Sequence, residues 1–191
     1  MTQLTQNKKK LRQRMLSIRH SLAREKIIEQ SILINNLCLT SKIYEKASCI
    51  MAYAAMQDEV QTDIILKDTL ARGKTLCLPY ITDLKKGLMK ATVVNSLTDL
   101  VPGKAGILSL PANKISFIQP QAINLIIVPG VAFSLTKNRL GMGGGFYDRF
   151  LPQAKNAISV GFFFSCQESI SLPINGYDVP LDTIFTEKGI I

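Results

Sequence analysis

The residues best suited to chemistry lie in Arg139-Leu140-Gly141-Met142-Gly143-Gly144-Gly145-Phe146-Tyr147-Asp148-Arg149, where four of five consecutive positions are glycine. Such a run frees the backbone for conformations closed to other residues and lets a ligand come within hydrogen-bonding distance of main-chain N–H groups. Glycines alone signal a turn. The flanking arginines and Asp148 add more than a turn needs. Successive amides and guanidiniums suit a polyphosphate, and one carboxylate suits the Mg²⁺ that travels with it. Neither standard nucleotide pattern is met. No Gly-Lys-Ser/Thr closes the loop, and the last position of G-x-G-x-x-G falls on Phe146 or Asp148.

The net charge of +9 is unevenly placed. Residues 1–26 hold Lys8, Lys9, Lys10, Arg12, Arg14, Arg19, Arg24 and Lys26 against Glu25 alone, whereas the remainder carries 15 basic and 13 acidic residues. The chain is a nearly neutral body with one basic arm, and such an arm attracts polyanions. Leu11, Met15, Ile18 and Leu22 follow the spacing of one helix face. At about 100° per residue, Lys8, Arg12 and Arg19 form a neighbouring stripe. Charges there either stay solvated or rest their stems on the protein while their heads reach an adjacent cleft. The lone His20 belongs to the surface of this helix.

Beyond the arm, β and α patterns alternate. Ser48 to Ala55 reads as a buried strand, and Thr62 caps a helix to Ala71 that Arg72-Gly73 ends. Lys74 to Pro79 and Leu88 to Asn95 read as strands, while Pro102-Gly103, Pro111 and Pro120 indicate loops or edge elements. Ile123 to Val128 is the clearest buried strand, Tyr147 to Ala154 begins a helix, and Ala157 to Phe164 is a further strand. This order predicts an α/β fold with a largely parallel sheet. Ligands collect outside the carboxyl ends of such strands. Glu59 and the glycine loop each follow a predicted strand, so both are expected in one crevice.

At 191 residues and 47% hydrophobic composition the chain fits one globular domain, with a helical arm over 1–39 and an α/β body over 48–187. The cysteines Cys38, Cys49, Cys77 and Cys166 show no C-x-x-C pair, and one histidine argues against a zinc site. Buried reduced thiols and the lack of an apolar h-region or membrane-length span predict a soluble cytoplasmic protein with no membrane partner.

Several segments together resemble the 5-formyltetrahydrofolate cyclo-ligase family, over Lys8 to about Glu187. They are Lys8-Lys9-Lys10-Leu11-Arg12, Met56-Gln57-Asp58-Glu59-Val60-Gln61-Thr62, Pro129-Gly130-Val131-Ala132-Phe133, the glycine loop from Asn138 to Arg149, Gln167, and Asp178 with Leu181-Asp182 and Thr186-Glu187. Three positions depart from the family pattern: Phe146 where a tyrosine is usual, Ser134 where an aspartate is common, and Tyr177 where a histidine is common.

The resemblance implies a three-layer fold like that of sugar-phosphate isomerases and CoA-transferases. It also implies ATP-dependent closure of 5-formyltetrahydrofolate to 5,10-methenyltetrahydrofolate through a phosphorylated formyl group. On that basis Lys8, Lys9, Lys10, Leu11 and Arg12 are ATP-binding, with Arg139, Leu140, Gly141, Met142, Gly143, Gly144, Gly145, Phe146 and Tyr147. Ala54, Met56 and Glu59 bind folate, together with Gly143 to Tyr147. Arg139, Tyr147 and Arg149 are catalytic, and Asp148 and Asp178 hold Mg²⁺. Read alone, Asp178 is a turn aspartate, and Glu59 is either a ligand-binding carboxylate or a helix-start acid. The expected partners are small molecules, with no nucleic acid, and the chain is expected to be monomeric. Two rivals use parts of the same pattern. A nucleic-acid binder would use the arm, which lacks aromatic residues for stacking. An α/β enzyme for a sugar phosphate or thioester would share the sheet.

Overall fold

Alternate residues of each central strand point to opposite faces, and both sets are apolar. Ile50, Leu76, Leu78, Leu125 and Ile127 enter one core, whereas Cys49, Met51, Cys77, Ile126 and Val128 enter another. Strands buried on both faces demand a layer on each side. The computed structural model describes residues 2–103 and 106–191.

The helices are α1 (Gln3–His20), α2 (Arg24–Leu39), α3 (Lys42–Lys46), α4 (Asp63–Ala71) and α5 (Phe146–Phe150). The strands are β1 (Cys49–Met51), β2 (Thr75–Asp83), β3 (Leu88–Val94), β4 (Val101–Pro102), β5 (Leu108–Ser109), β6 (Phe117–Ile118), β7 (Leu125–Val128), β8 (Ala132–Phe133), β9 (Arg139–Leu140), β10 (Ile158–Phe162), β11 (Thr183–Thr186) and β12 (Gly189–Ile190). Eight of them form the main sheet in the order β12-β11-β10-β7-β1-β2-β3-β6. The central pairs from β11 to β2 are parallel, and the outer three pairs are antiparallel. Residues of α2, α3 and α4 cover one face, and Phe150, Leu151 and Ala154 cover the other. The layered α/β architecture and largely parallel sheet are therefore present. Among the described residues, no helix is long and apolar enough to cross a membrane.

Several expected elements change length. β1 keeps only three residues, because the chain leaves the sheet after Ala52 donates its amide to Cys77 O at 3.0 Å. β2 runs on through Pro79 to Asp83. Pro79 lies beyond Cys77, the last β2 residue registered with β1, so its missing N–H falls where that ladder has ended. The helix after the glycine loop is one short turn, continued by a 3₁₀ turn at Leu151–Gln153. Thr62 precedes α4 without capping it: its hydroxyl donates to Tyr53 O at 2.5 Å. Arg72-Gly73 does end α4, with Gly73 at φ +68 and its amide bonded to Leu70 O.

Residues 1–39 form two helices of different character. α1 is the basic helix, packing Met15 and Leu11 against Val131, Ala132 and Leu140. α2 is a core helix that buries Ile27, Ile34 and Cys38. Its buried Asn35 donates to Gln61 O at 2.7 Å, and Ser31 Oγ accepts from Gln61 N at 2.9 Å. α2 thus braces the segment that carries Glu59.

Candidate active site

The strand order reverses between β1 and β7: the chain proceeds from β1 to β2 on one side and from β7 to β10 and β11 on the other. The carboxyl ends at such a switch leave a crevice. Tyr53, Ala54, Met56 and Glu59 descend from β1 into it, and Pro129 and Gly130 from β7. The small β8–β9 hairpin then returns the chain and delivers the glycine loop. The cavity measures about 1010 Å³, at the upper end of the roughly 300–1,000 Å³ of small-molecule sites.

The glycine loop has its donors free. Among the described residues no group accepts a hydrogen bond from the amides of Gly141, Met142, Gly143, Gly144 or Gly145. Three of its carbonyls are taken instead. Arg12 Nε donates to Gly141 O at 2.8 Å, and Arg149 Nη1 donates to Gly144 O and Gly145 O, each at 2.9 Å. Gly143 and Gly145 sit at φ +107 and +67, where residues with a Cβ are strained. Gly144 has another constraint, since a Cβ there would stand 2.5 Å from the Phe146 ring. Burial pulls the Arg12 pKa down, the mark of a desolvated cation that gains from an incoming anion.

Opposite charges stand beside the loop. Lys8 Nζ lies 2.5 Å from Asp178 Oδ2, which also accepts from Asn175 N at 2.7 Å. Asp178 therefore closes a turn and lines the cavity at once. Arg139 is buried, with Nη2 3.0 Å from Asp148 Oδ1 and Nη1 donating to Val179 O at 2.7 Å. Its guanidinium stands 5.9 Å over the Tyr147 ring. Asp148 Oδ1 also accepts from Val179 N at 3.2 Å, so both carboxylates border residues 178–179. Mg²⁺ is commonly held by one or two carboxylates with phosphate oxygens and water. Asp148 and Asp178 match that donor set. Among the described residues no cluster of three or more His, Cys, Asp or Glu exists, so the fit is to an ion arriving on a phosphate and not to a protein cage.

Glu59 also lines the cavity and is 8% exposed. Its Oε2 accepts from Met56 N at 3.0 Å, and its Oε1 lies 3.9 Å from Arg19 Nη1. Burial dominates and raises its pKa above the usual carboxylate range, against the pull of the Met56 amide and Arg19. Burial, reinforced by Glu59's charge, also raises the pKa of Tyr147, which keeps its phenol protonated as a donor.

Most of the expected site residues are assembled here. Lys8, Arg12, Ala54, Met56, Glu59, Arg139 to Tyr147, Asp148, Arg149 and Asp178 all line the cavity. Lys9 and Lys10 are exposed and do not line it, and Leu11 packs in the α1 interface. The helix turns only Lys8 and Arg12 of that run inwards. Arg149 is committed to loop carbonyls, so its place is to shape the loop. Arg19, on the same helix stripe as Lys8 and Arg12, does not line the cavity and is buried near Glu59. Of the departures, Phe146 and Tyr177 line the cavity, Tyr177 at its exposed rim. Ser134 is buried, with its hydroxyl 2.9 Å from Thr136 Oγ1. The sequence reading omitted an apolar wall of Pro79, Ile81, Leu84, Met89 and Ile107. Its trace in the sequence is Leu84 directly before the turn residues Lys85-Lys86-Gly87.

Residues 4–187 match the family model of 5-formyltetrahydrofolate cyclo-ligases, and the chain belongs to that family of ligases. A Haemophilus influenzae protein named 5-formyltetrahydrofolate cyclo-ligase is 30% identical over 93% of this chain and 96% of its own length. A mouse protein of the same name is 25% identical over 95% and 94%. The solved Aquifex aeolicus 5,10-methenyltetrahydrofolate synthetase superposes with a TM-score of 0.84 at 30% identity, covering 96% of this chain and 91% of that one.

Proposed function

We propose that the protein closes 5-formyltetrahydrofolate to 5,10-methenyltetrahydrofolate with conversion of ATP to ADP and phosphate. The observation that carries this reading is the pairing, in one cavity, of a loop whose five amides have no acceptor among the described residues and a buried carboxylate. The first suits a triphosphate. The second can accept two parallel hydrogen bonds from the amidine-like edge of a pterin. The hydrocarbon wall from Ile81 to Ile107 suits the aromatic body between them.

The chemistry explains why two ligands are needed. A formamide oxygen leaves poorly. Attack of that oxygen on the γ-phosphorus expels ADP and gives a phosphorylated imidate. The neighbouring folate nitrogen then closes on the activated carbon and gives up its proton to solvent, and phosphate departs with the former formyl oxygen. Phosphoryl transfer of this kind depends on alignment and charge neutralisation. Lys8, Arg12 and the amides of residues 141–145 neutralise and align the phosphates, with Arg139 beside the transferred group. Protonated Tyr147 donates toward the reacting centre, and Arg149 holds the loop in shape. Asp148 and Asp178 would hold Mg²⁺, which when bound supplies charge neutralisation to the phosphate oxygens. Lys8 and Asp178 pair with each other, and a phosphate and its metal would divide them. The reading extends to a cytoplasmic protein acting on small molecules alone.

The test is isotopic. With substrate labelled by ¹⁸O in the formyl group, the released phosphate should carry the label. Turnover that leaves the label in water and none in phosphate would rule out the phosphorylated intermediate.

A further inference from the structure

Arg19 was grouped by its spacing with Lys8 and Arg12, yet it has a different environment. Its side chain is 2% exposed, although the rest of that stripe reaches the cavity. Nε donates to Asp58 Oδ2 at 2.7 Å and Nη2 lies 2.6 Å from the same oxygen. Nη1 donates to Gly130 O at 3.2 Å and stands 3.9 Å from Glu59 Oε1. One planar guanidinium therefore reaches the turn after β1 and the second residue after β7, the two strands that flank the switch point. Gly130 O is also held by Gln167 Nε2 at 2.9 Å, and the same nitrogen donates to Val131 O at 3.0 Å. The turn after β1 and the segment after β7 are thus both held by the buried side chains of Arg19 and Gln167.

We infer that Arg19 is a positioning residue for folate: it holds the Asp58-Glu59 turn against the β7 end so that the Glu59 carboxylate is presented, ionised, to the substrate. This rests on the role proposed for Glu59. A burial of Arg19 for stability alone would be satisfied by Asp58. The third nitrogen, directed at both Gly130 O and Glu59, is what couples it to the binding wall. A lysine has one compact ammonium and cannot span these acceptors with a rigid fork. The groups facing Glu59 are Arg19, Asp58, the Met56 amide and the phenols of Tyr53 and Tyr147, with His20 beyond Asp58 at 2.9 Å. Among the charged side chains of this set, only Arg19 and His20 carry or can carry positive charge. Loss of Arg19 should therefore keep the Glu59 proton on to higher pH.

Titration calorimetry of 5-formyltetrahydrofolate and, separately, of ATP decides the matter, with melting curves as a check on folding. Arg19→Lys should weaken folate binding roughly tenfold, as expected for loss of a charge-assisted hydrogen bond, and leave ATP binding unchanged. In a Glu59→Gln background the same change should add little. Where Arg19→Gln folds, its acid loss of folate binding should begin at higher pH than in the wild type. Folate binding that is unchanged in Arg19→Lys, or weakened equally with ATP and equally in both backgrounds, overturns the positioning role while leaving the proposed activity standing. A wild-type protein that binds no folate overturns both.

Discussion

Glu59 shows how a single side chain can be tuned against stability. An acid with a raised folded-state pKa favours the folded protein while protonated, and that contribution is lost as pH rises through the folded value. Ionisation of Glu59 therefore costs the fold stability. Glu59→Gln should leave the melting temperature at pH 7 unchanged or higher, while raising the folate KM about tenfold for a lost charge-assisted pair. In the wild type, folate KM should climb as pH falls through the raised carboxylate pKa, and the Gln variant should lack that climb. Initial rates across pH check both. An equal fall in stability would return Glu59 to a capping role. At the phosphate site, Arg12→Ala or Lys8→Ala should raise the ATP KM by roughly tenfold for a part-buried charged donor, with little change for folate. Competition kinetics at fixed folate would reveal an unaltered ATP affinity and remove these residues from the phosphate site. Arg12 and Lys8 were legible because helical spacing placed them on one stripe. Arg19 had the same spacing, but only tertiary packing could reveal that its turn of α1 lies beneath the β1 and β7 ends.

The glycine loop works as an element because a second element leans on it. The β2–β3 turn places Gly87 at φ +64, where an added Cβ would stand 2.0 Å from Gly144 O and 2.6 Å from Arg149 Nη1. Gly73 has a similar φ of +68 with open space around it. The two glycines separate backbone strain from contact. Gly73→Ala should cost about 1–2 kcal/mol of stability, the penalty for a left-handed residue, and leave kinetics alone. Gly87→Ala should carry that penalty and also displace the loop, raising the ATP KM and lowering kcat. Denaturant melts paired with steady-state rates distinguish them; identical behaviour would mean that the hairpin does not shape the loop. The hairpin was only half readable. Leu88 to Val94 kept its strand pattern, but nothing in the order of residues showed that Ile81, Leu84 and Met89 face a cavity.

Across the whole molecule, the legible parts were those with a strong local signal. Ile123 to Val128 yielded a central strand because a continuous apolar run suits burial on both faces. The glycine loop was found because its residues are adjacent in sequence. The short strands β8, β9, β11 and β12 left too little pattern to read, and α2 was read as part of a basic arm although it is a core layer. What brings Lys8, Glu59, Gly143 and Asp178 together is strand order, with the reversal between β1 and β7 opening the crevice and α1 closing one side. The protein should thus bind two ligands in one crevice and join their chemistry. Purified protein mixed with 5-formyltetrahydrofolate, Mg²⁺ and ATP should give a rise in the near-ultraviolet absorbance of the methenyl product that stops when ATP is withheld. A folded protein that gives no rise, or the same rise without ATP, would contradict an ATP-driven ring closure at this site.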